Sequence, residues 1–110
     1  MSPSFTEAAP LFAALGDETR LRIVARLCDG GPMSIARLTV GSNISRQAVT
    51  KHLLALSSAG LVRGYRSGRE RIWKLEPGRL DEIRMHLEQI SRQWDRALLR
   101  LRAFVEEDPP

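Results

Sequence analysis

A single cysteine, Cys28, stands in 110 residues. One thiol closes no internal disulfide, which fits a chain kept in a reducing compartment. Histidine is nearly as scarce. His52 and His86 lie in different segments with no carboxylate pair beside either. No phosphate loop, nucleophile elbow or HExxH sequence occurs, so an enzyme is not expected and no catalytic residue is assigned. Long apolar runs are missing too. Nothing near the N-terminus approaches a signal peptide, no segment approaches a membrane span, and a cytoplasmic location is expected. Acidic residues are all but absent from one stretch. Between Arg37 and Leu75 eight basic residues face one acid, Glu70, giving +7, while the remainder carries nine basic and twelve acidic residues, or −3. The overall charge of +4 conceals this division. A basic segment joined to a mildly acidic one is the electrostatic footprint of nucleic-acid binding, although a solvated basic surface would look the same in composition.

What is present is a chain of ordinary globular composition, 43% hydrophobic and 27% charged, with the length of one domain (1–110). Its centre is Ile44 to Val62, ISRQAVTKHLLALSSAGLV. Ser45 is placed to cap a helix, with Ile44 before it and Val49 inside it as an apolar staple. Val49, Leu53 and Leu56 recur at helical spacing and predict a buried face. Arg46, Gln47, Thr50 and Lys51 share another face, and all four can donate hydrogen bonds to phosphates or base edges. Gly60 ends the helix in the left-handed conformation. Leu54 is an apolar residue near the polar face, without an explanation from the pattern.

Around that helix the chain reads as follows. Residues 1–10, with Pro3 and Pro10, predict a loose arm leading to a short helix over Leu11–Leu15. Asp17 caps a second helix whose inward stripe is Leu21, Val24, Ala25 and Cys28, so the thiol is expected to be a buried filler rather than a redox switch. Asp29-Gly30-Gly31-Pro32 stops it. A brief extended piece at Met33–Ile35 and a helix over Ala36–Val40 precede the Gly41-Ser42-Asn43 turn. With the Ser45 helix they make a helix-turn-helix over 34–59. Residues 61–75 predict a β-hairpin with a turn at Ser67-Gly68, its base anchored by Leu61, Ile72 and Trp73, its tip bearing Arg66, Arg69 and Arg71, and Pro77-Gly78 closing it. The expected architecture is mainly α with one small β-hairpin.

Residues 79–107 carry a heptad. Leu80, Leu87, Trp94 and Leu101 fill one position, and Ile83, Ile90, Ala97 and Phe104 the other. A helix from Leu80 to Glu107 would be roughly 40 Å long, more apolar stripe than a domain of this size can cover. The helix is expected to pack partly on the first helix and partly on the same helix of a second subunit, and these residues, with Phe12, are the expected homodimer interface. Trp73 and Trp94 could line an effector pocket, but aromatics at strand and heptad positions more often fill a core.

The segments FAALGDETRLRIVARL, SRQAVTKHLLALSSAGLV and ISRQWDRALLRLRAFVEE, with the basic hairpin between the last two, resemble the ArsR/SmtB family of winged helix-turn-helix repressors from about Leu11 to Glu107. The resemblance implies a homodimer bound to double-stranded operator DNA. Ser45, Arg46, Gln47, Thr50 and Lys51 would be the recognition-helix contacts, and Arg66, Arg69 and Arg71 the wing contacts. Metal sensors of that family carry paired cysteines in the first helix of the helix-turn-helix, or an Asp/His/His/Glu set on the last helix. Here Thr39 and Gly41 stand at the first place. At the second His86 is alone, with Arg84 before it and Ala97 and Arg100 beyond. The chain therefore resembles the branch without those ligands, and no metal or cofactor is expected. Two other classes stay open: a metal- or thiol-responsive sensor of the same fold, and a helical interaction module that binds no DNA.

Overall fold

The computed structural model describes residues 5–107. In chain order the elements are α1 (Phe5–Leu15), α2 (Glu18–Gly30), β1 (Met33–Ser34), α3 (Ile35–Thr39), α4 (Arg46–Ser58), β2 (Val62–Ser67), β3 (Glu70–Leu75) and α5 (Pro77–Glu107). Three of the helices begin where a short oxygen-bearing side chain meets the free amides of a first turn. Asp17 accepts from the Arg20 amide, Ser34 from Arg37 and Ser45 from Ala48. Helix α5 starts differently, with Pro77 in its first position, where the missing N–H is no loss. Pro77-Gly78 therefore opens the last helix instead of closing the hairpin.

Helix α1 departs from the expected loose arm. It begins at Phe5 and carries Pro10 in its interior; residues 1–4 of that arm lie outside the described residues. An interior proline costs about 3 kcal/mol. Ala8, Leu11 and Ala14, one stripe of α1, are all buried, and Leu11 alone returns about 1.5–3 kcal/mol.

Helix α2 is rotated relative to the expected register. Ile23, Val24 and Leu27 face inward, whereas Leu21, Ala25 and Cys28 are exposed. Cys28 is thus not the buried filler anticipated from spacing. Two apolar stripes share Val24, and the observed one buries the larger branched pair, Ile23 and Leu27. It also brings Arg20 and Arg26 to acceptors on neighbouring elements. The Arg26 guanidinium donates to the carbonyls of Leu38 (2.7 Å) and Val40 (3.1 Å), closing the end of α3.

Strands β2 and β3 form the hairpin, and β1 joins the far side of β3, so the sheet order is β1-β3-β2, antiparallel throughout. The turn is Gly68-Arg69, one residue later than expected, because Ser67 pairs with Glu70. Gly68 takes φ +65° and Arg69 does not take a positive φ, the pattern of a type II′ turn, which suits the twist of a hairpin. The core joins Leu11, Ile23, Leu27, Leu38, Val49, Leu53, Leu56, Leu61, Trp73 and Ile83.

The radius of gyration is 19.1 Å, against about 13 Å for a compact domain of this length. Helix α5 causes the excess. Its 31 residues span roughly 46 Å, and among its heptad residues Ile83 is buried and Leu80 half-buried in the protomer's own core. Phe12 is also half-buried there, edge-on to the buried His86 ring at 6.3 Å between centroids. Phe12, Leu80 and Ile83 therefore take part in their own protomer's packing, in line with a last helix expected to lie partly on the first. From Leu87 onward the stripe is open. Leu87, Ile90, Trp94, Leu101 and Phe104 are exposed, and Ala97 is half-buried.

Candidate nucleic-acid interface

The helix-turn-helix is built from α3, a turn through Gly41 (φ +78°), and α4. Val49, Leu53 and Leu56 press one side of α4 into the core, and Ile44 packs at its edge. At the far end the Leu61 amide donates to the Leu56 carbonyl (3.0 Å) and the Gly60 amide to Ser57 (2.9 Å). These two bonds, with Gly60 at φ +80°, make a Schellman closure. It hands the chain directly to the wing, because Val62 begins β2 and both Leu61 and Val62 are buried. Recognition helix and wing are consequently held as one unit.

On the side of α4 turned from the core, Arg46, Gln47 and Lys51 are exposed, as is the cap Ser45. Thr50 is half-buried, and its hydroxyl already donates to the Arg46 carbonyl (2.8 Å), leaving its oxygen to act as an acceptor. The four polar residues expected on one face are therefore together.

The wing divides its basic residues between two faces. Arg66 stands opposite Arg71, and both lie on the Trp73 side of the hairpin. Arg63 stands opposite Lys74 on the other side, with the Lys74 ammonium 5.7 Å from the Tyr65 ring centre. Arg69 occupies the turn. Arg66, Arg69 and Arg71 are all exposed, and Arg71 also has an aromatic seat. Its guanidinium lies over the buried Trp73 indole, 5.0 Å from the ring centre. Gly64 permits this, since a Cβ there would meet Arg71 Nε at 2.8 Å and Trp73 at 3.1 Å.

A polar junction behind α4 escaped the pattern reading. Arg20 Nε donates to His52 Nδ1 (3.3 Å), and Asp17 Oδ2 stands 3.8 Å from the same nitrogen. The Arg20 amide, chiefly, and the nearby His52 and Arg20 side chains hold the Asp17 carboxyl below the usual carboxylate range. His52 thus ties the recognition helix to the start of α2. The cap at Asp17 was the only trace of this in the sequence. Among the described residues, no three of His, Cys, Asp and Glu converge where they could hold a metal ion. No described helix is long and apolar enough to cross a membrane.

Residues 15–65 match the family model of a helix-turn-helix domain. The HTH-type transcriptional regulator Rv2034 of Mycobacterium tuberculosis is 36% identical over 95 residues, covering 86% of this chain and 85% of that protein. Among solved structures, the ArsR-like transcriptional regulator from Rhodococcus sp. RHA1 superposes with a TM-score of 0.77 at 36% identity, over 94% of this chain and 97% of that one. A homodimeric winged helix-turn-helix DNA-binding domain from Mycobacterium bovis shares the fold, with a TM-score of 0.63 and 23% identity over 81% of each chain.

Proposed function

Since the chain belongs to the ArsR family of winged helix-turn-helix transcriptional regulators, we propose that it is a homodimeric repressor whose two recognition helices enter successive major grooves of a palindromic operator. One observation carries the reading. The molecule leaves two surfaces uncovered, and they are opposite in chemistry: a basic, donor-rich face on α4 and the wing, and an apolar stripe on the outer part of α5.

The apolar stripe is matched to a second copy by magnitude. Leu87, Ile90, Trp94, Leu98, Leu101, Phe104 and Val105 are each 42–69% exposed. Burying what remains of each contributes about 1–2 kcal/mol, so two subunits together gain on the order of 20 kcal/mol. Association costs about 4–15 kcal/mol in lost freedom and side-chain ordering. The balance favours a dimer. The opposite side of α5 carries Arg84 bonded to Asp81 and Glu88, and Arg102 to Glu106, a solvated face that leaves the stripe as the natural seam.

A two-fold dimer places its recognition helices about 34 Å apart, one turn of duplex, which is the reason for a palindrome. Within each half-site Gln47 suits adenine and Arg46 guanine, while Ser45, Thr50 and Lys51 take phosphates or base edges. Arg66 and Arg69 hold the backbone beside them, and Arg71 stiffens the hairpin by its seat on Trp73. The test is a gel shift against the DNA upstream of the chain's own gene, at several salt concentrations and with a chelator arm. A shift that weakens steeply with salt and survives chelation supports the reading. No shift at low salt leaves the helical interaction module, and loss or gain on chelation leaves the metal-responsive sensor.

A further inference from the structure

Leu54 is the one large apolar side chain on the outward side of α4, and it is 53% exposed. It belongs to none of the apolar packing: neither the buried core nor the partly buried residues against it include it. At roughly 100° per residue it falls between Thr50 and Gln47 around the helix axis, roughly 130° from the mean direction of Val49, Leu53 and Leu56. A leucine there has about half its surface in water in the free protein, in the middle of a polar stripe that otherwise donates hydrogen bonds. Its isobutyl group can neither pair with a phosphate nor bond a base edge. The one apolar feature displayed in the major groove is the C5-methyl group of thymine.

We propose that Leu54 is a specificity-determining residue that recognises a thymine methyl in each half-site; this rests on α4 being the helix that enters DNA. The spacing makes the claim sharper. Leu54 lies seven residues beyond Gln47, about 10 Å along the axis. At about 3.4 Å per base pair, its thymine is about three base pairs from the base that Gln47 reads. The helix must then lie along the groove instead of entering by its N-terminal tip alone.

The experiment starts from the preferred duplex recovered by binding-site selection with the full chain. Each thymine is replaced in turn by deoxyuridine, which lacks only the methyl group, and affinity is measured by fluorescence anisotropy at fixed salt. For the unmodified chain, one symmetry-related thymine pair is expected to matter, with about a fourfold loss per half-site and roughly fifteenfold when both are replaced. In Leu54→Ala that penalty disappears, while in Leu54→Met, which keeps an apolar contact, it persists. The penalised thymine should lie about three base pairs from the position whose preference is lost in Gln47→Ala. Tight binding without any methyl-sensitive thymine, or a penalty undiminished in Leu54→Ala, overturns the proposal and leaves the DNA-binding reading standing. A Leu54→Ala chain that sediments as a monomer assigns the side chain to the subunit seam and also overturns it. A chain that binds no duplex at all removes both.

Discussion

Helices α4 and α5 solve the same packing problem to different degrees. Each has an apolar stripe at helical spacing. That of α4 is spent entirely within its own domain: Val49, Leu53 and Leu56 are all at or below 1% exposure. That of α5 is covered only through Ile83, and its outer part is left in water, with Trp94 at 66% and Phe104 at 69%. What each helix leaves uncovered is therefore different. On α4 it is mainly Arg46, Gln47 and Lys51, groups that gain nothing from another protein's core but match phosphates and base edges, with Leu54 the one large apolar exception. On α5 it is a row of large apolar groups that water solvates poorly and a second α5 covers well. On the proposed function, the contrast separates two tasks within one chain, reading and pairing, on different elements.

The most damaging change to this division is to put charge in the α5 seam. Leu87→Glu combined with Leu101→Glu should give a helical monomer by sedimentation and circular dichroism. Its duplex affinity should fall at least about a hundredfold, because two linked half-site contacts become single ones. A dimer that persists would show that the subunits meet elsewhere. Next in size is the reading task alone. Gln47→Ala should cost about 1–3 kcal/mol of discrimination at one base pair per half-site, seen as lost preference in a binding-site selection, with the dimer intact.

The wing sharpens the same comparison at smaller scale. Arg69→Ala should weaken binding to all sequences alike and lower the salt slope by about 1 per subunit. Arg71→Ala should change the slope less and reduce thermal stability more, since its guanidinium is seated on Trp73. Equal slopes for the two variants would show that Arg71 swings out to the phosphates. The smallest effect concerns the junction behind α4. The Asp17 carboxyl is held below its ordinary range in the folded chain, so its contribution to stability is complete above pH about 4–5 and is lost as pH falls through the folded value. Asp17→Asn keeps a capping side chain but cannot titrate. Denaturant curves at neutral pH and near pH 3 should show a smaller acid loss for the variant than for the unmodified chain.

The parts of this arrangement that local chemistry sets are readable in the sequence. Ser45, Val49 and Gly60 act within one or two turns of where they stand, so cap, stripe and closure of α4 follow from spacing alone. The heptad of α5 was readable for the same reason, but not where its own core ends, because coverage depends on how far α1 reaches. The rotation of α2 was not legible since two stripes overlapped at Val24. The choice between them rests on Arg20 meeting His52, 32 residues away, and Arg26 meeting the end of α3. The seat of Arg71 on Trp73 was not legible because cross-strand partners are fixed by strand register. Arg71 and Trp73 share a face by strand alternation alone, but the turn at Gly68-Arg69 is what sets Gly64, which has no side chain, opposite Trp73 and Arg66 opposite Arg71. Pro10 misled for a simpler reason: a helix-breaking residue was outweighed by the burial of Ala8, Leu11 and Ala14 around it.

Sedimentation equilibrium of the chain with a labelled duplex carrying two half-sites one helical turn apart weighs pairing and reading together. The account predicts a free protein of twice the 12.4 kDa chain mass, and two chains moving with each duplex in dilute salt. A protein that stays at 12.4 kDa at micromolar concentration while the duplex sediments alone would contradict it.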